Sequence, residues 1–479
     1  MNISIIAYII GWILNCEAAI MVLPCITAIV YGESELWSFV ITMGICLAIG
    51  IPLVVKGPKN RFFFVREGFV AVALSWIVLS IMGSLPFILS GTIPSVIDAL
   101  FETVSGFTTT GASILPEVES LPQSILFWRS FTHWIGGMGV LVFILAILPM
   151  TGGSQMSLMK AESPGPSVSK LVPRVQSTAK ILYVIYFCMT IIQIIFLLIG
   201  KMPVFDAITT AFGTAGTGGF GIKNDSMAGY STYIQVVVTV FMILFGINFS
   251  MYFLLLNKKV WQAFKLEEVH WYLGIILVSI LVITFNIRDL YSSFGEALNH
   301  ASFQVGSIIT TTGFATTDFN LWHPLSRSIL VLLMLIGACA GSTGGGIKVS
   351  RIMIAMKSVK KELMLYIHPR SVKKVSMDGK PIEHETVRST NVFLIAYLLI
   401  FAFSVLIISF DGHDLTTNFT AVAATLNNIG PGLEMVGPTG NFGFFSTGAK
   451  AVLIFDMLAG RLEIFPLLLL FVPETWKKF

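Results

Sequence analysis

The stretch that decides the fold occurs more than once. Phe101-Glu-Thr-Val-Ser-Gly-Phe-Thr-Thr-Thr110-Gly111 is matched by Phe303-Gln-Val-Gly-Ser-Ile-Ile-Thr-Thr-Thr312-Gly313, with the same ten-residue step from Phe to Gly. A further copy keeps the spacing with different residues: Asp206 precedes Gly219 by thirteen positions, as Asp98 precedes Gly111. The last, Leu426-Asn-Asn-Ile-Gly430-Pro-Gly432, diverges most. Gly111, Gly219, Gly313 and Gly430 lie 108, 94 and 117 residues apart, which is a fourfold internal repeat.

The glycines end short apolar-amphipathic runs at 95–113, 204–221, 296–318 and 416–432, each too short to cross a bilayer. Around them lie ten longer apolar segments, at about 4–31, 35–56, 66–92, 123–150, 180–200, 231–256, 268–288, 326–356, 391–410 and 447–473. The short runs therefore read as re-entrant half-helices. Irregular backbone is tolerated at membrane depth only where it is buried in protein or lines a wet cavity. The expected fold is an all-α polytopic membrane protein, with four pseudo-symmetric span–pore-loop–span repeats around a central pore and two extra N-terminal spans. The expected divisions are 1–60 for the extra spans, 61–155, 156–265 and 266–375 for the first three repeats, and 376–479 for the fourth. The third contains an intramembrane gating loop.

Composition agrees. Of 479 residues, 55% are apolar and only 12% charged, and mean hydropathy is +0.84. Soluble domains carry roughly 25% charged residues, so lipid is the expected solvent. The apolar N-terminus reads as a retained first span rather than a signal peptide. Lys and Arg gather in 56–66, 160–180, 258–265, 348–388 and 477–478, which hold 23 of the 30. By the positive-inside rule these segments face the cytoplasm, as do both termini, and the repeat glycines face outward. A net charge of +4 gives no reason to expect nucleic acid. The cysteines (Cys16, Cys25, Cys46, Cys188, Cys339) sit in apolar runs without metal-ligand spacing.

Four glycine-ended loops brought around one axis would form a ring of backbone carbonyls able to replace the hydration shell of a monovalent cation. Glycine is required because side chains forbid the backbone conformation and the close approach. Half-helix C-terminal ends turned toward the ring favour a cation. Asp98, Glu102, Asp206, Glu117 and Glu119 add negative charge near the mouth. Packing of small residues is the competing account of the Thr/Gly segments.

Two features lie further along. Arg461 sits in the middle of the last span, too deep to snorkel to the interface. It is read either as an electrostatic barrier or as half of a structural ion pair with Glu463 or Asp456. The run Gly337-Ala-Cys-Ala-Gly341-Ser-Thr-Gly344-Gly345-Gly346-Ile-Lys348 interrupts the span 326–356. It is read as an unwound loop able to plug a pore, with a passive kink as the alternative. It is no phosphate loop, because Ser or Thr does not follow Lys348. Gly216 to Gly221 matches GxGxxG literally, but it follows a helix-like run rather than a strand. Scattered histidines and the absence of a catalytic constellation argue against an enzyme.

TTTGAS (108–113), GTGGF (216–220), TTTGF (310–314), NNIGPG (427–432), GSTGGG (341–346) and AGRLE (459–463), on the fourfold repeat, resemble the Trk/Ktr/HKT cation transporter superfamily over essentially the whole chain. The two extra spans and KAESPGP (160–166) resemble its TrkH/TrkG branch. The resemblance implies potassium uptake across the inner membrane through a gated pore within one protomer, with K⁺ as cargo and no organic cofactor. It implies a homodimer in the lipid bilayer, regulated by a cytosolic TrkA-like RCK subunit that binds NAD(H) or ATP/ADP. By position, the filter is Thr109, Thr110 and Gly111; Thr217, Gly218 and Gly219; Thr311, Thr312 and Gly313; and Asn428, Ile429 and Gly430. The gate is Gly341, Ser342, Thr343, Gly344, Gly345 and Gly346 with Arg461. Asn and Ile replace Thr in the fourth repeat, and a Na⁺-coupled or Na⁺-permeable Ktr-like transporter is the alternative function.

Overall fold

The computed structural model describes residues 1–58, 65–139, 175–370 and 374–477. The second half of the expected span 123–150, the KAESPGP segment and Lys373 lie outside the described residues. Among those described, six helices are long and apolar enough to cross a membrane: Ile3–Tyr31, Leu36–Lys56, Val65–Leu89, Ala179–Ile199, Glu267–Leu290 and His384–Asp411. The first is two helices, Ile3–Ile20 and Val22–Tyr31, joined at Met21. Its N-terminal part packs along Leu36–Lys56, and this pair leans on Val65–Leu89.

Large apolar side chains on the long helices stay exposed, among them Trp37, Phe187, Leu277, Leu398 and Phe403. That is the pattern of a surface solvated by lipid. The interior belongs to four short helices, Val96–Phe107, Val204–Gly216, Phe294–Ile309 and Leu415–Leu426. Phe101, Phe107, Ala211, Phe303 and Ala424 on them are fully buried. Their starts show ordinary capping chemistry. Ser293 Oγ accepts from Glu296 N at 3.1 Å, and Asp414 accepts from Thr417 N at 2.9 Å.

Each repeat opens with a long outer helix, dips through a short one and returns along an inner helix. These returning helices depart from the expected continuous spans. Thr232–Phe245 and Phe249–Leu256 meet at 88° instead of forming one span over 231–256. Pro324–Ile336 stops at Gly337, and helix resumes only at Val349–Ile367. Thr447–Arg461 ends before a turn in which Glu463 and Ile464 have positive φ, followed by Phe465–Leu468. In the first repeat, Gln123–Met138 stops at Gly139, φ +83°. Glycine at or beside three of these breaks lowers the helix propensity there. In the second, Asn248 starts a new helix by accepting from Ser250 N at 2.9 Å.

Candidate functional site

The four short helices end in one backbone pattern. Thr109, Thr217, Thr311 and Asn428 all adopt φ between +54° and +59°. In each repeat the next amide reaches back five residues: Thr110 N to Ser105 O at 2.9 Å, Gly218 N to Gly213 O at 2.8 Å, Thr312 N to Ser307 O at 2.8 Å and Ile429 N to Ala424 O at 2.8 Å. This is a left-handed helix cap repeated four times. It aligns Asn428 with the three threonines, so the divergent fourth copy falls into register on backbone geometry. A β-branched residue at positive φ is an outlier costing roughly 1–3 kcal/mol, and such strain gathers at functional sites.

One residue beyond each reversed amide stands the repeat glycine, again at positive φ: Gly111 +77°, Gly219 +78°, Gly313 +87° and Gly430 +99°. A methyl group on Gly111 would strike the carbonyl oxygen of Gly218, one on Gly219 that of Thr312, and one on Gly313 that of Ile429. On Gly430 it would come within 2.9 Å of Thr110 O. The loops thus close a ring in sequence order, each glycine seated against its neighbour's carbonyl. A cavity of about 220 Å³ opens over this ring and is lined by all four glycines.

Side chains brace the ring from behind. Asn428 Nδ2 donates to Thr110 Oγ1 and to Met457 O, both at 2.9 Å, tying the fourth loop to the first. His133 lies 2.7 Å through Nδ1 from Gly106 O, while its Nε2 accepts from Phe220 N at 3.2 Å. That fixes a neutral imidazole between the first and second loops. A methyl group on Gly218 would meet the same ring.

Four of the acidic residues expected at the mouth have partners within the protein. Glu102 is 1% exposed and pairs with Arg129 at 2.8 Å, while accepting from Ser113 Oγ and Ile114 N. Burial puts it behind the ring, where it anchors the chain leaving the first loop. Asp98 pairs with Lys450 at 2.6 Å. Asp206 accepts from the Tyr230 hydroxyl at 2.7 Å, and burial followed by that bond holds the phenol protonated well above its ordinary range. Glu119 accepts from Asn224 N at 2.9 Å.

On the other side of the ring lies the glycine-rich loop. Gly345 N donates to Thr311 Oγ1 at 2.6 Å, and a methyl group on Gly344 would come within 2.9 Å of Thr310 O. One on Gly345 would strike Asn427 O. The loop therefore presses directly against the third and fourth ring segments. Arg461 donates to Thr343 O at 2.9 Å, to Gly137 O at 2.8 Å and to Gly136 O. The carboxylates considered as its partners are engaged elsewhere: Glu463 pairs with Arg351, and Asp456 accepts from Ser404 Oγ at 2.7 Å. Arg461 thus joins the loop to the broken end of the first repeat's inner helix.

Sequence reasoning missed Lys348 and His133. The Lys348 amine is buried and donates to Gly344 O, so adjacent loop carbonyls, those of Thr343 and Gly344, each accept from a basic side chain. Its position directly after the glycine run was a usable signal, but it served only to reject a phosphate loop. Nothing in the sequence distinguished His133 from the other histidines.

The family model described as "Cation transport protein", TrkH, matches residues 37–287 and 274–478. The chain is 38% identical over 487 residues to the Trk system potassium uptake protein TrkH of Salmonella typhimurium, with all of both chains covered. It is 33% identical over 486 residues to the Trk system potassium uptake protein TrkG of Escherichia coli, covering 99% of each. The crystal structure of the potassium transporter TrkH from Vibrio parahaemolyticus superposes with a TM-score of 0.89 at 35% identity, covering 100% of both chains.

Proposed function

Because the chain belongs to the TrkH family of cation transport proteins, a family of transporters rather than enzymes, we propose that it is the potassium-uptake membrane subunit of a Trk system and that its carbonyl ring is a potassium filter. Thr109–Gly111, Thr217–Gly219, Thr311–Gly313 and Asn428–Gly430 supply the oxygens. One observation carries this reading: four loops share one strained left-handed cap, and each glycine lies against the next loop's carbonyl. Backbone oxygens held so closely suit a desolvated monovalent cation. The four oxygen-lined segments favour K⁺ over the Na⁺-permeable alternative, because glycine stands at all four closing positions.

The Gly341–Gly346 loop with Arg461 is the gate. Its contact with Thr311 and the two basic side chains on its carbonyls support a closed state, in which the positive charge of Arg461 sits beneath the filter. The charge asymmetry supports a protein with both termini cytoplasmic in the inner membrane. It also supports the basic segment 348–388 as the docking surface of a cytosolic nucleotide-binding RCK subunit. A homodimer with one pore per protomer, and the division at residues 60, 155, 265 and 375, belong to the same proposal.

The test is complementation of a potassium-uptake-deficient bacterium in low-K⁺ medium, with and without a co-expressed RCK subunit. Growth rescued by this chain is the expected result. Rescue in low-Na⁺ medium that vanishes for the Gly313→Ser variant assigns the ring to K⁺; dependence on added Na⁺ favours the coupled alternative.

A further inference from the structure

The two ends of the glycine-rich loop are held by one buried carboxylate. Glu268 is the second residue of the helix Glu267–Ile287 and is 5% exposed. Its Oε1 accepts from Ala340 N at 2.6 Å and from Ser350 N at 3.2 Å. These amides lie on either side of Gly341–Gly346 and Lys348. Its Oε2 accepts from Asn248 Nδ2 at 3.4 Å, and Asn248 forms the elbow of the bent helix in the second repeat. At the same junction Phe249 N donates to Gly341 O at 3.0 Å and Cys339 N to Gly246 O at 3.1 Å. A helix start leaves amides without intrahelical partners, and buried irregular backbone needs partners too. Glu268 accepts from one of each, Ser350 at a helix start and Ala340 in the loop before it.

The helix that carries Glu268 is held in turn from outside the transmembrane body. Its own N-cap, Leu266, has no side chain able to accept, and Glu267 N donates instead to the exposed Asp378 carboxylate at 2.7 Å. Asp378 is the turn of a small hairpin, Ser376–Met377 with Lys380–Pro381. Lys357 fastens this hairpin by pairing with Glu267 at 2.6 Å and donating to Ser376 O at 2.8 Å. Beside the hairpin lies a cavity of about 350 Å³, whose lining includes Glu268, Asn248, Met377, Asp378 and Pro381. It leaves the carboxylate room to swing away from Ala340 and Ser350.

We propose that Glu268 is the positioning residue that holds the 337–348 loop against the carbonyl ring, and that the 376–381 hairpin governs it by capping its helix. The proposal rests on the reading of that loop as the gate. Two surfaces then communicate through named bonds: displacement of the hairpin uncaps Glu267, the first turn of the helix loosens, and Glu268 releases both loop ends together.

The experiment is ⁸⁶Rb⁺ flux per folded molecule of full-length protein in liposomes, for wild type, Glu268→Gln, Glu268→Ala, Asp378→Ala, a deletion within Gly341–Gly346, and the deletion combined with Glu268→Ala. Glu268→Ala is expected to raise flux about tenfold, equivalent to about 1.4 kcal/mol. Glu268→Gln, which keeps one acceptor, and the surface variant Asp378→Ala should raise it by about threefold. Rb⁺ over Na⁺ preference should not change, and the combined variant should not exceed the deletion alone, because both act through one element. Wild-type flux in the Glu268 and Asp378 variants, with raised flux in the deletion, overturns the role of Glu268 and leaves the gate standing. Unchanged flux in the deletion overturns the gate itself and this proposal with it. If neither Glu268 variant is recovered folded, Asp378→Ala decides alone, and wild-type flux in it overturns the proposal. Additive effects in the combined variant overturn it too.

Discussion

Replacing Arg461 with alanine should open the pathway without changing what passes. The guanidinium donates to Thr343 O at 2.9 Å, and two residues later Gly345 N touches Thr311 Oγ1 at 2.6 Å. Two residues of extended chain span at most about 7 Å. The positive charge therefore lies within about 12 Å of the ring's inner face. At an effective dielectric constant of about 20, two unit charges at that distance repel by about 1.4 kcal/mol, a factor of about ten in barrier crossing. Loss of the bond to Thr343 O should add to this by loosening the loop. Arg461→Lys keeps the charge but not the fork of donors, so its flux should rise less than that of Arg461→Ala. The assay is ⁸⁶Rb⁺ uptake by liposomes, normalised to folded protein. Flux at or below wild type in Arg461→Ala would refute the barrier. Altered Rb⁺ over Na⁺ preference would place the residue in the filter instead.

Gly313→Ser should cost more K⁺ preference than Gly430→Ser, since the added atom meets the Ile429 carbonyl more closely than the corresponding atom meets Thr110 O; equal selectivity in competitive Rb⁺/Na⁺ uptake would contradict the ring geometry. Glu102→Gln strips the counter-charge from buried Arg129, a loss of about 3–5 kcal/mol. It should lower the thermal midpoint in detergent, and an unchanged midpoint would show that the pair is dispensable. Charge reversal at Lys360, Lys361, Lys373 and Lys374 should weaken co-purification with an RCK subunit while leaving insertion intact; full retention would reduce the basic segment to a topology signal.

What could be read from the sequence followed from repetition. Four glycines at matched spacing were enough to expect an all-helical membrane fold with re-entrant loops, because no other arrangement satisfies short apolar runs between full spans. The same logic located Gly341–Gly346, since adjacent glycines disfavour helix wherever they occur. Other features depended on distance in space. Glu102 and Arg129 are 27 residues apart and meet only because two helices cross behind the first loop. Breaks at Gly246 and after Arg461 carry weaker local signals, and hydropathy runs smoothly across both. The alternative of an ion pair between Arg461 and Glu463 depends on position in space as well. Glu463 is near in sequence, yet it lies beyond the end of the helix and faces Arg351.

The broken inner helices explain how a fourfold ring can carry a single glycine-rich loop. The ends of the described inner helices are bonded to one another, Arg461 to Gly136, Gly137 and Thr343 and Cys339 N to Gly246 O, so the ring is supported there by loops rather than by continuous rods. Buried loop amides and carbonyls need partners, and the repeats find them differently. The first offers Gly136 and Gly137 carbonyls, which Arg461 of the fourth takes. The second turns sharply at Asn248, which reaches Glu268. The third inserts the long glycine run whose carbonyls receive Arg461 and Lys348. A ring assembled from four identical chains would have to place the same arginine and the same loop in every quadrant, crowding like charges beneath it. Covalent linkage of unequal repeats removes that conflict: one repeat supplies the glycine-rich loop, another the arginine that bonds to it, and the ring keeps its common backbone.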